Sequence, residues 1–121
     1  MANPNIVGVT SIYGKTVGGV VTTSTVAILT NAAASGKVYK VNSLYVSNVD
    51  GVNSADITAE FFDSGTDTAF NITNTVTVPA DSSLVVISKD TSIYLEEGDS
   101  IRLLASANND LEYVISYEEI S

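Results

Sequence analysis

Apolar and polar residues alternate with a period of two along most of this 121-residue chain. Ala55, Ile57, Ala59 and Phe61 interleave with Asp56, Thr58, Glu60 and Phe62. Phe70, Ile72, Asn74, Val76 and Val78 interleave with Asn71, Thr73, Thr75 and Thr77. Leu111, Tyr113, Ile115 and Tyr117 interleave with Glu112, Val114, Ser116 and Glu118. Successive strand side chains point to opposite faces, so each run predicts a strand with one buried face. Between the runs lie NVDGVNSA, DSGTD, PADSS, SKDTS, EEGDS and SANND, clusters of the residues that turn a chain. About eight short strands punctuated in this way predict a single all-β domain: an antiparallel β-sandwich, jelly-roll-like. The period does not choose between jelly-roll and immunoglobulin-like topology. The domain is expected over 6–121, with 1–5 as an N-terminal arm. STVAILTNAAASG reads as a strand ending in a loop, with one helical turn at its alanines as the alternative. VGGVV, Val17–Val21, reads as a flexible connection.

Composition removes whole classes of chemistry. There is no cysteine, so no disulfide or thiolate metal site. There is no histidine, which takes away the usual general base, the commonest metal ligand and the Ser-His pair. Fourteen Asp and Glu against five Lys and Arg give a net charge of −9. The cations Lys15, Lys37, Lys40, Lys89 and Arg102 are scattered, so neither nucleic acid nor an anionic membrane is an expected partner. No apolar run reaches the roughly 18 residues of a membrane helix, and the N-terminus does not read as a signal peptide. The sequon at Asn71 matters only in a secretory pathway, which nothing else suggests.

The acidic clusters are the remaining candidates for chemistry. In IYLEEGDSIRL, Ile93–Leu103, strand alternation sends Glu96 and Glu97 to opposite faces. Gly98 suits positive φ, and Asp99 suits an acceptor for a backbone N–H two residues on. The stretch is therefore expected to be a short hairpin turn, after which Ile101 and Leu103 resume one face and Arg102 and Leu104 the other. A cation beside Glu97 and Asp99 is the sharper alternative, and a glycosidase-type acid pair needs carboxylates converging in a cleft. Asp50, Asn53 and Asp56 could face calcium, but their spacing departs from the EF-hand loop. A metal-assisted hydrolase would have to work through Asp50, Asp56 or Glu97. Asp63 and Asp67 flank Gly65 at a hairpin tip. Glu118 and Glu119 read as charges guarding an edge strand. Hydroxyls are abundant, but no base stands beside them, and no glycine loop opens a helix for phosphate. No catalytic residue, cofactor or metal is expected. Tyr39 and Tyr45 are expected on one strand face, and Tyr113 and Tyr117 on another, as interface rings or core-margin rings.

The opening MANPNIVGVTSIYGKTVGG, the middle GKVYKVNSLYVSNVDGVNSADITAEFFD and the end IYLEEGDSIRLLASANNDLEYVISYEEIS resemble small virion structural proteins of tailed bacteriophages, particularly those of marine bacteria and cyanobacteria. The likeness is one of overall pattern across nearly the whole chain. The Leu95–Leu103 core, L-x-x-G-D-x-I-x-L, also recurs in unrelated jelly rolls. The resemblance implies a non-enzymatic capsid decoration, or cement, protein on the outside of the head, with the major capsid protein as partner. It also implies self-association, with a homotrimer matching three-fold lattice positions. The contact residues expected on that reading are Asn3, Pro4, Asn5 and Ile6 of the arm and the tyrosines Tyr13, Tyr39 and Tyr45. A neck, tail or fibre-associated protein, or a host-surface carbohydrate-binding module, is the alternative.

Overall fold

The structure, a computed structural model, describes residues 4–121. Among them nine strands form: β1 Ile12–Val20, β2 Val26–Thr30, β3 Val38–Asn48, β4 Ala55–Asp63, β5 Thr68–Val78, β6 Ser83–Ile87, β7 Ile93–Leu95, β8 Ser100–Ala105 and β9 Leu111–Ile120. One sheet runs β1-β9-β3-β6, with β7 also paired to β3; the other runs β2-β8-β4-β5. Every pairing is antiparallel. The chain crosses between sheets after β1, β2, β3, β5, β7 and β8, and the last strand lies beside the first. This nesting is the jelly roll. The expected fold class is met, and the topology left open by the period is settled. A 3₁₀ turn, Lys89–Thr91, breaks one strand position beside β3 into β6 and β7, so nine strands fill eight places.

The inner faces make the core. Val41, Leu44, Val46, Ile57, Ala59, Ile87, Leu95, Ile101, Leu103, Leu111 and Ile115 are all buried. Each large aliphatic side chain taken from water contributes roughly 1.5–3 kcal/mol. Ile101 and Leu103 do resume one face of β8, as alternation requires.

Four expectations are corrected, each for a physical reason. First, β3 carries a bulge. Val41 pairs with Tyr117 and Ser43 with Ser116, so Asn42 is skipped in the register with β9, and its Nδ2 donates to the Glu118 carboxylate at 3.2 Å. The extra residue inverts the alternation. Tyr39 consequently points inward, packed on the core, and Tyr45 points outward at 44% exposure. The two do not share a face. Second, β5 is an edge strand with two register shifts against β4. Its alternation therefore buries only part of the predicted face, and Phe70 and Val76 are exposed. Third, the VGGVV glycines lie inside β1, with Gly18 paired to Val114 and Gly19 to Tyr113. A Cβ on Gly19 would sit 2.9 Å from Tyr113 Oη, because that ring leans across the bare backbone. An aromatic neighbour covering an edge glycine is a known sheet device. Fourth, IYLEEGDSIRL is not a hairpin. Its first strand, β7, belongs to one sheet and its second, β8, to the other. The turn, with Gly98 at φ +90°, is a corner between sheets.

Candidate functional site

Most of the buried polar residues gather at the ends of the sandwich, where loops must be held to strands. At the corner, Asn31 is fully buried. Its Nδ2 donates to the carbonyls of Lys37 (2.9 Å) and Leu95 (3.0 Å), and its Oδ1 accepts from Ser35 Oγ (2.6 Å). Its backbone exchanges bonds with the turn: Gly98 N donates to Asn31 O at 2.6 Å, and Asn31 N donates to Asp99 O at 3.0 Å. The buried Glu97 accepts from Gly36 N at 2.6 Å. Asp99, also buried, accepts from Glu96 N at 3.1 Å, three residues back rather than two residues on. Its other oxygen accepts from Ser64 N at 3.0 Å and Ser64 Oγ at 3.3 Å. Both carboxylates are thus engaged in tying three loops together. Asn48 does the same at the far end of β3, donating to the carbonyls of Asn53 (3.0 Å) and Val78 (2.9 Å).

The calcium alternative does not assemble. Asp50 Oδ1 accepts from Val52 N (2.8 Å) and Asn53 N (3.1 Å), and Asn53 Nδ2 donates back to Asp50 at 3.3 Å. The two backbone donors, joined by the Asn53 amide, hold the Asp50 carboxyl below the usual carboxylate range. Asp56 sits on β4 and accepts from Thr77 Oγ1 at 2.8 Å. Among the described residues, no three acidic side chains converge on a metal position. Asp63 does sit at a hairpin tip, accepting from Gly65 N at 3.0 Å between β4 and β5.

The charge cluster that sequence reasoning misassigned is at Glu119. β9 is a central strand between β1 and β3, not an edge. Glu119 is buried and lies in register between Tyr13 of β1 and Tyr39 of β3. Two lysines reach it: Lys15 Nζ at 3.1 Å and Lys37 Nζ at 3.0 Å. Burial opposes its ionised form, but the hydrogen bonds and charges of the two lysines outweigh it. The Glu119 carboxyl is held below its ordinary range. Its hydrogen bond and negative charge raise Lys15 above the ordinary lysine range. Tyr39 stacks on Tyr117 with ring centroids 5.3 Å apart, and burial, then the Glu119 charge, push its hydroxyl up. The signal was present in the sequence. Glu119 has the parity of Leu111, Tyr113, Ile115 and Tyr117, which places it on the buried face.

The expected contact residues divide. Asn3 lies outside the described residues. Pro4 and Ile6 line a cleft of about 280 Å³ with Val38, Tyr94 and Glu96, so this end of the arm lies over the first sheet beside β3 and β7. Asn5 closes a turn, its side chain accepting from Val7 N at 3.0 Å and its carbonyl from Gly8 N at 3.0 Å. Tyr13, 60% exposed, and Tyr39 flank Glu119 on one face, and Tyr45 stands on the other. The structure does not gather them into one patch. Phe62 lies under the Arg102 guanidinium at 3.9 Å.

No protein-family model matches the chain, and no curated protein does. Among solved structures it is similar to one from Bacillus endospore appendages, described as forming "a novel family of disulfide-linked pili". The TM-score is 0.51 at 19% identity, covering 89% of this chain and 85% of that one. At that identity the likeness is one of fold. This chain has no cysteine with which to form such links.

Proposed function

We propose that the protein is a non-enzymatic structural subunit of a phage particle, acting as a capsid decoration protein that binds the outer face of the head. The observation that carries this reading is where the carboxylates go. Glu97, Asp99 and Glu119 are buried and engaged in holding loops and strands, no described cluster of the remaining acidic residues forms a metal site, and the outward surface carries Tyr13, Tyr45, Tyr94 and aliphatic residues among those remaining carboxylates. Such a surface suits many weak contacts made at once, which give avidity without a tight single site. Binding only the assembled lattice stabilises that lattice by mass action. The net charge of −9 suits an exterior facing solvent rather than packaged DNA. Purified protein is expected to bind emptied, expanded heads and raise their melting temperature. Binding to isolated tails or necks with heads ignored sinks the proposal. Removing residues 1–5 is expected to weaken head binding while leaving the unfolding transition in place.

A filament or fibre subunit is the second reading, favoured by the fold likeness to an appendage protein. Filaments formed by the purified chain under the electron microscope would select it over decoration.

A further inference from the structure

Four strand positions lie at sheet edges, and three carry the features that prevent strand pairing. β2 has five residues and a register shift; β6 has five and a shift, and β7 only three. β5 has two shifts and a positive-φ residue, Thr75. β1 is different. It has nine residues, an unbroken register with β9, no proline, and exposed side chains at every position but one. Its single charge, Lys15, is drawn to Glu119 of the neighbouring strand.

The direction of its free backbone groups follows from the ladder. Ser11 and Ser121 exchange backbone bonds (3.0 and 2.9 Å), and Val21 N donates to Leu111 O at 2.9 Å. In an unbroken antiparallel ladder the bonded pairs alternate, so odd-numbered residues from 11 to 21 face β9. The N–H and C=O of Ile12, Gly14, Thr16, Gly18 and Val20 therefore point out of the sheet.

We propose that β1 pairs antiparallel with β1 of a second copy about a two-fold axis at Thr16, joining two jelly rolls through one continuous sheet. In that register all the outward groups are matched: Ile12 with Val20, Gly14 with Gly18, and Thr16 with Thr16. The side chains agree with it. Ile12 meets Val20, the glycines meet glycines, Tyr13 comes opposite Gly19 beside the Tyr113 ring, and Lys15 faces Val17 while remaining paired to Glu119. No acidic residue lies on the strand, so two chains of net charge −9 meet where neither presents a carboxylate of its own edge. Pairing of this kind is isologous and closed. The proposal is independent of the capsid reading, and it predicts a dimer where the sequence resemblance implied a trimer.

The test uses the full chain. Sedimentation should give a dimer at high micromolar concentration. Thr16→Pro removes an outward N–H without cutting a backbone bond to β9, a position where edge strands tolerate proline. The one bond to β9 that it loses is between the Thr16 and Ser116 hydroxyls, 2.7 Å. Thr16→Ala, which loses that bond and keeps the N–H, is the control and should leave dimerisation unchanged. The proline variant should weaken dimerisation at least about tenfold in Kd with an unchanged far-ultraviolet spectrum. Because the chain has no cysteine, single Cys variants give an independent measurement should that variant misfold. Across a bonded pair the Cα separation is about 5.5 Å, inside the disulfide range. The Thr16→Cys variant should cross-link to itself on mild oxidation. The Ile12→Cys variant should not, since its two copies of that position stand about 27 Å apart along the strands, but it should cross-link with the Val20→Cys variant. A monomer, a trimer, or self-linking of the Ile12→Cys variant overturns the proposal.

Discussion

Glu119 shows what a single residue does in this small molecule. Its carboxyl is buried, yet ionised and clasped by two lysines whose side chains are 49% and 39% exposed. Its depressed pKa means the clasp stabilises the fold above the ordinary carboxylate range. That contribution is lost as pH falls through this range towards the folded pKa. Glu119→Gln should cost about 1–2 kcal/mol at neutral pH, less than breaking a fully buried pair because both lysines can return to water. The variant should also lose less stability than the wild type between neutral pH and about pH 3.5, as read by urea melts at each. A cost unchanged at low pH would show that the ion pair is not its source. The clasp was half legible in the sequence. Extending the β9 alternation by two residues puts Glu119 inside, but its lysine partners come from sites 104 and 82 residues away, which only the topology brings together.

At the scale of elements, alternation located most strands and missed wherever a ladder breaks. β9 and β8 read correctly because the extra residues in their ladders lie on the partner strands β3 and β2, which leaves their own alternation unbroken. β3 did not, since one residue skipped in the register, Asn42, turns Tyr45 out and Tyr39 in, and nothing in the string VYKVNSLYV marks the bulge. Deleting Asn42 tests this account. It leaves Val41 opposite Tyr117 and Ser43 opposite Ser116 with no residue between them, so Tyr39, Val41, Leu44 and Val46 all keep the inner face, and only the Asn42–Glu118 side-chain bond is lost. The deletion should therefore keep a cooperative melting transition within about 2 kcal/mol of the parent. Loss of that transition would show that the bulge does more than take up one residue. The corner at Gly98 failed as a hairpin for a related reason. A turn motif specifies a change of direction, and whether the next strand rejoins the same sheet depends on partners elsewhere in the chain.

At the scale of the whole molecule, the jelly roll was legible as an all-β sandwich, and its winding was not, because winding is a statement about which distant strands meet. That winding sets a temporal order. β9 lies between β1 and β3, so the first sheet has no middle until residue 120 has left the ribosome. The first strand made is among the last to be placed, and it waits through the synthesis of some ninety residues for its partner. Refolding dominated by such distant pairings belongs to the millisecond-to-second range of all-β domains. Stopped-flow refolding should show it, and a chain truncated before Leu111 should have no native-like state; a folded truncate would contradict the order. In the cell the same wiring withholds the first sheet until β9 has emerged, and leaves the nascent β1 reliant on whatever shields it until then.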